Sequence, residues 1–417
     1  VREAYEGASK FPVESYEEAK EQLKALLKRA VSLRMIADVP LGTFLSGGYD
    51  SSLVTALAQE HSSKPVKTFS IGFREEKYNE APYARAVADY LGTSHTELMI
   101  EESDMLRLVE GIPKYYDEPF ADPSQIPTML VCKLARQQVT VALSGDGGDE
   151  FYCGYHIYEK VAQAQKLDRL GAMVHGLCSL PGLKQFHAQD RLPFKARVIA
   201  GNRDRETKTQ FAAGNYPGMA RAMVGELPAG GRALPVHYPV ESSYPVRDWQ
   251  ICRMLLDMDT YLPGDILCKM DRASMKYSLE ARCPILDPDV MAYSYRIPHR
   301  YKYAAGDKKH ILKEIAYDYI PRELLERPKR GFGVPLDKWL RGPLKEQLLC
   351  YAEYEFIKRQ DIFDAPYVSK MVRDYVERGD RGASTGENYS GLTWAYFVFQ
   401  KWYESFHGSH NVWDMIK

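Results

Sequence analysis

The sequence lacks the features that mark secreted, membrane-spanning or nucleic-acid-binding proteins. Its seven cysteines among 417 residues form no C-x-x-C pair, which predicts reduced thiols in the cytoplasm rather than a disulfide scaffold. No apolar run approaches the ~18 residues that span a bilayer. The 55 basic and 56 acidic residues give a net charge of −1, without a block of Lys and Arg. We therefore expect a cytoplasmic enzyme that acts on small molecules, with no nucleic-acid or membrane partner.

Three further patterns are missing. The Walker string G-x-x-x-x-G-K-[ST] does not occur, and the ten histidines form no H-x-x-x-H pattern for zinc. The chain starts at Val1 without an initiator Met or a signal-peptide pattern. We interpret this as a mid-chain start, with residues 1–15 as a linker from a missing upstream domain.

A small-residue loop at residues 46–52, with the sequence Ser-Gly-Gly-Tyr-Asp-Ser-Ser, is the most informative feature present. It follows the apolar run 41–45 and precedes an apolar helix face. In a strand–loop–helix arrangement of this kind, backbone N–H groups lie close together at the positive N-terminal end of the helix. Such a helix end binds phosphate. Asp50 replaces the Walker lysine and attracts a metal ion instead. The alternative is an ordinary Gly-Ser turn, but the context favours nucleotide binding.

A second loop of the same kind, residues 144–150, follows the β-rich run 139–143. In open α/β sheets the ligand crevice lies beyond the carboxyl ends of the strands, where the winding direction reverses. If the strands near residues 41 and 139 are neighbours there, Asp50 and Asp149 can share a Mg²⁺ ion. Taken alone, the second loop would be an exposed Asp-Gly turn.

Strand and helix patterns alternate between residues 41 and 143. Ser15 and Glu18 indicate a helix start, further strands are predicted at 66–73 and 95–100, and Gly92 closes a helix. This alternation predicts an α/β fold with a doubly wound parallel sheet. We divide the chain into a nucleotide-binding α/β core at 16–160, a variable insert at 161–248 without clear period, and a helical C-terminal part at 249–417.

Six strings together resemble the synthetase domain of the glutamine-hydrolysing asparagine synthetases. They are the two loops at 46–52 and 144–150, the strand 69–73, and the strings 271–275, 280–287 and 309–312. The likeness runs from about Tyr16 to about Tyr403. It implies the PP-loop fold of the ATP pyrophosphatases, which cut ATP between its α and β phosphates, with a C-terminal helical lobe.

The resemblance also implies a reaction. The aspartate side-chain carboxylate would attack the α phosphate of ATP to give β-aspartyl-AMP and pyrophosphate, and ammonia would then displace AMP to give asparagine. ATP as a substrate and Mg²⁺ are the implied cofactors. A glutaminase domain in cis would release the ammonia from glutamine. That domain begins with a catalytic cysteine in the family, whereas the first cysteine here is Cys132, so we expect it to be missing from this chain. The oligomeric state stays open, and a homodimer is compatible with the resemblance.

Each matching residue takes an implied role. Asp50 and Asp149 would hold Mg²⁺, while Asp146 and Lys309 would be catalytic. On its own, Lys309 would be interpreted as a solvated lysine beside Lys308. The pyrophosphate would be held by Ser46, Gly47, Gly48, Asp50, Ser51 and Ser52, with Leu45 and Ile71 flanking adenine and ribose and Ser144 and Gly145 closing over the nucleotide.

The sequence departs from the family pattern at the amino-acid end of the site. Asp146 stands where many members carry glutamate, which keeps the carboxylate that a general base requires but shortens it by one methylene. Relatives that close β-lactam rings carry tyrosine there, so a carboxylate favours the asparagine-type reaction. Residues 117–124 would either line the amino-acid site or form a proline-stiffened acidic loop. Glu280 and Arg282 would form an ion pair with a structural role.

Three other functions remain open at this point. A related PP-loop amidotransferase or cyclase would adenylate a different carboxylate, on a peptide or a surface polysaccharide. A tRNA-thiolating pyrophosphatase is disfavoured because C-x-x-C pairs and a basic surface are missing. A domain that only senses nucleotide is the non-catalytic alternative.

Overall fold

The computed structural model describes residues 1–74, 79–166, 223, 246–326, 333–379 and 389–406. Most of the insert predicted at 161–248 therefore lies outside the described residues. The chain divides into two compact units that do not follow its linear order. The first unit comprises residues 1–105, 124–213 and 242–332, and the second comprises residues 106–123, 214–241 and 333–417.

A parallel five-stranded sheet forms the centre of the first unit. Its strands are β1 Leu41–Phe44, β2 Lys67–Phe73, β3 Ser94–Ile100, β4 Val141–Leu143 and β5 Glu280–Arg282. The strand order is β3-β2-β1-β4-β5, and every neighbouring pair is parallel. The chain winds outward from β1 through β3 and then returns to the other side of β1, so the predicted doubly wound sheet is confirmed.

Helices cover the sheet and build most of the rest of the described chain. In chain order they are α1 Arg2–Ala8, α2 Tyr16–Arg34, α3 Tyr49–Glu60, α4 Ala81–Leu91, α5 Glu102–Val109, α6 Gln125–Arg136, α7 Gly148–Phe151, α8 Trp249–Asp259, α9 Cys268–Met275, α10 Pro288–Arg296, α11 His299–Lys302, α12 His310–Tyr317, α13 Arg322–Leu325, α14 Leu336–Leu340, α15 Lys345–Tyr351, α16 Tyr354–Gln360, α17 Ala365–Arg378 and α18 Tyr389–Phe406. A π-helical turn at Leu262–Leu267 precedes α9, and an antiparallel hairpin of β6 Tyr303–Ala304 and β7 Asp307–Lys308 precedes α12. None of the helices among the described residues combines the length and apolar character that crossing a membrane would need.

Local sequence signals explain the helix ends of the first unit. The Ser15 side chain accepts a hydrogen bond from the Glu18 N–H, as the capping pattern predicts. Gly92 ends α4 in the left-handed conformation at φ 66°, which glycine adopts at little cost. Thr43 on β1 and Thr55 on α3 are fully buried, and their hydroxyls lie 2.9 Å apart. This bond fixes α3 against β1 on either side of the first loop.

Strand β5 was not predicted, because its three residues carry no apolar alternation. Arg282 and Glu280 do form the predicted ion pair, at 2.7 Å. The same guanidinium donates 2.8 Å hydrogen bonds to the carbonyls of Arg34 and Ile36, just past the end of α2. The pair therefore braces an edge strand, which agrees with the structural role expected for it.

The described part of the second unit is helical. Trp394 and Phe397 on α18 are buried, and their rings stack at a centroid distance of 5.8 Å. Lys401 on the same helix pairs with Glu110 at 2.7 Å, and the Trp402 indole donates to the Asp117 carbonyl. Residues 106–123 therefore pack with the C-terminal helices, although the two bonded pairs are 291 and 285 positions apart in sequence.

Candidate active site

The two glycine-rich loops meet at the carboxyl ends of β1 and β4. These strands are direct neighbours, with Thr43 opposite Leu143, as the magnesium hypothesis requires. A Cβ atom on Gly145 would lie 2.8 Å from the Ser51 backbone nitrogen and 3.0 Å from the Asp50 Cβ. Real Cβ contacts are not that close, so glycine is needed for the second loop to lie against the first.

The first loop is held in shape by its own side chains. The Ser46 and Ser51 hydroxyls lie 3.0 Å apart, and the Ser46 hydroxyl also accepts from the Gly48 N–H. Gly47 has φ 73° and packs against the start of α4, where a Cβ would lie 2.8 Å from the Ala84 nitrogen. Helix α3 then starts after Gly48, so its first N–H groups, which have no partner within the helix, lie at the end of this loop.

Lys309 joins the two loops. Its ammonium group pairs with Asp149 Oδ1 at 2.8 Å and with Asp50 Oδ2, so one cation neutralises a carboxylate from each loop. The residue is only 5% exposed, with φ 56° at the start of α12. Its N–H donates to the Tyr152 carbonyl, which fixes the backbone beside the second loop. Lys309 is therefore a buried site residue, in contrast to the solvated lysine that its sequence position alone suggested.

Two opposing effects set the charge of Lys309. Burial lowers its pKa, but the negative charges of Asp149 and Asp50 more than offset burial and raise the pKa above the ordinary lysine value. The group is therefore protonated throughout the physiological pH range. A permanently charged cation in this position suits an anionic ligand such as a triphosphate.

The close approach of these charges requires glycine at two more positions. A Cβ on Gly148 would lie 2.5 Å from Asp50 Cγ, and a Cβ on Gly154 would overlap the Lys309 side chain and lie 2.9 Å from Asp149 Cα. Gly148 belongs to the predicted loop, whereas Gly154 was not predicted as a site residue. No local pattern marks Gly154, since the need for glycine arises from a lysine far along the chain.

Asp146 lies in the same loop, and its carboxylate accepts a 2.7 Å hydrogen bond from the Ser144 hydroxyl. The pKa of Asp146 is raised, mainly by burial and further by the negative charges of Asp50 and Asp149. The Ser144 hydrogen bond and the positive charge of Lys269 lower it, but they do not reverse the shift. The Lys269 ammonium donates to Ser124 Oγ at 2.9 Å. Ser124, at the end of the segment 117–124, is thereby linked to the surroundings of Asp146.

A second buried carboxyl group belongs to Glu150, the last residue of the loop 144–150, to which the sequence assigned no role. Burial and the adjacent Asp149 raise the pKa of Glu150 to about 7, against the opposing effect of a hydrogen bond from Tyr155. The Tyr155 hydroxyl donates that bond at 2.7 Å, and its ring packs edge-on against Tyr261. The site therefore holds a carboxyl group that titrates near neutral pH behind the loop carboxylates.

Three further residues that the sequence predicts to contact the nucleotide, Leu45, Ile71 and Ser52, are buried. Leu45 is buried and continues β1, since its N–H donates to the Phe69 carbonyl. Ile71 is buried within β2. Ser52 is fully buried in the first turn of α3, where its N–H donates to the Gly48 carbonyl. The hydroxyl of Ser52 is buried without a hydrogen-bond partner in the described structure. The nucleotide contacts of all three residues remain predictions.

The donor set at the loops fits the metal ion that the sequence implies. Mg²⁺ is usually held by one or two carboxylates together with substrate phosphates and water. Asp50 and Asp149 supply two carboxylates within reach of one atom, Lys309 Nζ, so the same pair could share a cation. The described residues contain no group of three or more His, Cys, Asp or Glu side chains that could hold a metal. A Mg²⁺ ion there would complete its coordination with oxygens of phosphate or water.

The chain is similar to known proteins over most of its length. A family model described as asparagine synthase matches residues 22–404. A Mycobacterium tuberculosis protein is 32% identical over 93% of this chain, and the match covers 58% of that protein. Asparagine synthetase [glutamine-hydrolyzing] 1 of Bacillus subtilis is 31% identical over 90% of this chain and 57% of its own length. Amidase chry2 of Gibberella zeae is 26% identical over 80% of this chain and 55% of its own length. The chain thus spans less than two thirds of the length of the curated relatives it matches.

Proposed function

Because the chain belongs to the asparagine synthase family, we propose that it is the synthetase part of an ATP-dependent carbon–nitrogen ligase that converts aspartate to asparagine. The observation that carries the proposal is the lysine–carboxylate cluster of Asp50, Asp149 and Lys309 between two glycine-rich loops. Such a cluster offers a cation, backbone donors and metal-ligating carboxylates at one place, which are the groups that phosphoryl chemistry needs.

In the first step an oxygen of the aspartate side-chain carboxylate attacks the α phosphorus of ATP. The bond between that phosphorus and the bridging oxygen to the β phosphate breaks, which gives β-aspartyl-AMP and pyrophosphate. Negative charge builds up on the α phosphate, and the protonated Lys309 stabilises it. The N–H groups at the start of α3 hold the pyrophosphate. Asp50 and Asp149 would hold Mg²⁺, which, when bound, would neutralise phosphate charge.

In the second step the ammonia nitrogen attacks the acyl carbon and AMP leaves. The nitrogen must lose a proton as the amide forms, and Asp146 is the carboxylate placed in the second loop to accept it. The raised pKa of Asp146 makes it a stronger base than an exposed aspartate. Its Ser144 bond fixes one carboxylate oxygen and leaves the other for the incoming nitrogen.

We further propose that a glutaminase domain in cis, outside these residues, supplies the ammonia. The Bacillus subtilis relative is named as glutamine-hydrolyzing, and the match covers 57% of it. With this chain alone, ammonium should then support asparagine formation, whereas glutamine should not.

The direct test is to incubate the purified chain with MgATP, aspartate and ammonium and to measure asparagine, AMP and pyrophosphate together. We expect the three products in equal amounts. A matched reaction without aspartate controls for simple ATP hydrolysis. Release of ADP and orthophosphate, or asparagine without AMP, would show that the proposed bond is not the one cut.

A second candidate is the same adenylation chemistry on a different carboxylate. It is favoured by the likeness to Amidase chry2 of Gibberella zeae, whose name does not mention asparagine. A screen of carboxylic acids by AMP release would decide between the two candidates. A peptide or sugar acid that stimulates AMP release while aspartate does not would favour the second candidate.

A further inference from the structure

A cavity of about 140 Å³ lies in the first unit, between helices α1, α8, α10 and α11. Its apolar lining includes Met254, Leu255 and Met258 from α8. Pro12 and Arg296, which also line it, are exposed, so the cavity has an edge at the protein surface. None of the residues that carry the proposed function lines it.

Lys302 is the unexpected member of this lining. Its side chain is buried, at 6% exposure, and faces the ring of Tyr152 with its ammonium 5.8 Å from the ring centroid. In the described part of the chain, no carboxylate pairs with the amine and no group accepts a hydrogen bond from it. An amine held out of water without a partner is costly, and folded proteins keep few of them.

The other polar groups around the cavity do not compensate Lys302. His299 is neutral near pH 7, because burial lowers its pKa to about 4, and its ring pairs with Gln250 at 3.0 Å. Arg296 is itself a cation and donates to the Phe11 carbonyl. The titratable or charged side chains that line the cavity with Lys302 are Tyr5, Tyr295, Arg296 and His299. Outside the lining, Tyr152 and Cys153 lie near the Lys302 ammonium, and Asp248 acts on His299. The cavity is therefore lined by apolar side chains and by a buried lysine that has no counter-ion among the described residues.

We propose that this cavity is a binding site for a short aliphatic carboxylate, whose carboxylate group pairs with Lys302 Nζ and whose alkyl chain packs on Met254, Leu255 and Met258. Such a ligand supplies both things that the cavity lacks, namely a negative charge for the amine and apolar atoms for the wall. The site is separate from the nucleotide loops and does not depend on the proposed function.

The size of the cavity limits the ligand. A dry apolar cavity of about 150 Å³ holds a benzene molecule, which has six non-hydrogen atoms. Butyrate also has six, so it is the natural first probe for a cavity of about 140 Å³. Butanamide has the same number of non-hydrogen atoms and nearly the same shape but carries no charge, so it is the matched control ligand.

The first experiment compares these two probes by calorimetric titration of the wild-type chain at pH 6.5. We expect millimolar binding of butyrate and binding of butanamide that is weaker by about tenfold or more, because only butyrate forms a charge-assisted bond. The titration is repeated with saturating MgATP and aspartate. Butyrate binding that persists there is distinct from the substrate site, while complete competition, equal binding of both probes, or no butyrate binding would overturn the proposal.

Two variants test the position of the site, and a third variant serves as the control. Lys302→Met should weaken butyrate binding about tenfold or more, and Met254→Phe should weaken it by filling the cavity from the opposite helix while Lys302 remains. Lys64→Met removes an exposed lysine from the turn between α3 and β2 and should change nothing. Melting curves show whether each variant is folded. Unchanged butyrate affinity in folded Lys302→Met, or in folded Met254→Phe if Lys302→Met does not fold, would contradict the assignment.

The pH dependence gives an independent readout on the wild-type chain. Burial lowers the pKa of Lys302 to about 7, partly offset by Cys153. A bound carboxylate favours the protonated amine, so above pH 7 the amine must take up a proton on binding. Butyrate affinity should therefore be nearly constant from pH 6 to pH 7 and fall between pH 7 and pH 9 by about tenfold or more in total, the same factor that Lys302→Met removes. Affinity that is constant from pH 6 to pH 9 would overturn the pairing with Lys302.

Discussion

Lys302 and Lys309 lie at the two ends of one short hairpin and are almost equally buried, at 6% and 5% exposure. Their electrostatic surroundings are opposite. Lys309 lies between two carboxylates and has a raised pKa, whereas Lys302 faces apolar side chains and has a lowered one. Burial alone thus says little about a lysine, since what decides its charge and its role is whether the fold brings a carboxylate to it.

The largest expected difference follows from removing each amine in turn. Lys309→Met leaves Asp50 and Asp149 without their counter-ion, and we expect at least about a 10³-fold loss of AMP formation and a loss of about 3 kcal/mol of stability. Lys302→Met removes an uncompensated amine and should leave AMP formation within about threefold. Steady-state kinetics and urea unfolding of both variants check this, and equal effects would break the comparison.

The next test disturbs the lysine–carboxylate cluster without removing a charge. Gly154→Ala places a Cβ against Asp149 and the Lys309 side chain, so the cluster must open, and we expect about a 10²-fold fall in kcat. Gly264→Ala is the matched control, because a Cβ there has nothing within 4 Å. A Gly154→Ala variant with wild-type kcat would show that the spacing of the cluster does not matter for turnover.

The two lysines should also differ in the pH dependence of stability. The folded-state pKa of Lys302, about 7, is below the unfolded value of ~10.4, so the unfolded state binds more protons between these values and stability rises with pH there. The stability advantage of Lys302→Met should be largest below pH 7, at about 4–5 kcal/mol, and shrink towards pH 10. Urea unfolding of wild type and variant at pH 6 and pH 9 measures it. A constant difference would mean that Lys302 keeps an ordinary pKa.

The smallest expected effect concerns Glu150, the buried acid behind the cluster. Its folded-state pKa of about 7 exceeds the unfolded value of ~4.3, so the folded state binds more protons between these values and stability falls as pH rises through them. Glu150→Gln removes that penalty and should raise stability at pH 8 by about 3–4 kcal/mol, with little change at pH 4. Thermal unfolding at both pH values tests this, and a variant that is less stable at pH 8 would contradict it.

The sheet and the two loops could be predicted from the sequence because each is marked by a local pattern of residues. The strings at 46–52 and 144–150 each follow an apolar run, and the fold places the two strands side by side. Strand β5 escaped prediction because three residues with polar ends have no recognisable period. The roles assigned to the loop residues remain predictions, since they depend on contacts with ligands.

The features that sequence reasoning missed depend on contacts between distant parts of the chain. Gly154 must be glycine only because Lys309 packs on it. Lys302 follows Arg300 and Tyr301 in a basic string that is typical of a solvated surface, and only the packing of α1 and α8 around α11 buries it. In both cases the three-dimensional neighbour, rather than the local pattern, determines what the residue does.

The ion pair between Lys309 and Asp50 joins residues that are 259 positions apart in the chain. During synthesis the first loop and its carboxylate leave the ribosome long before their cation does. Since domains generally fold as units, the emerging α/β segment cannot close its loops tightly around Asp50 and Asp149 until Lys309 arrives. Nascent chains that end before residue 309 would keep these carboxylates hydrated, and the last step of building the crevice would coincide with the synthesis of one lysine.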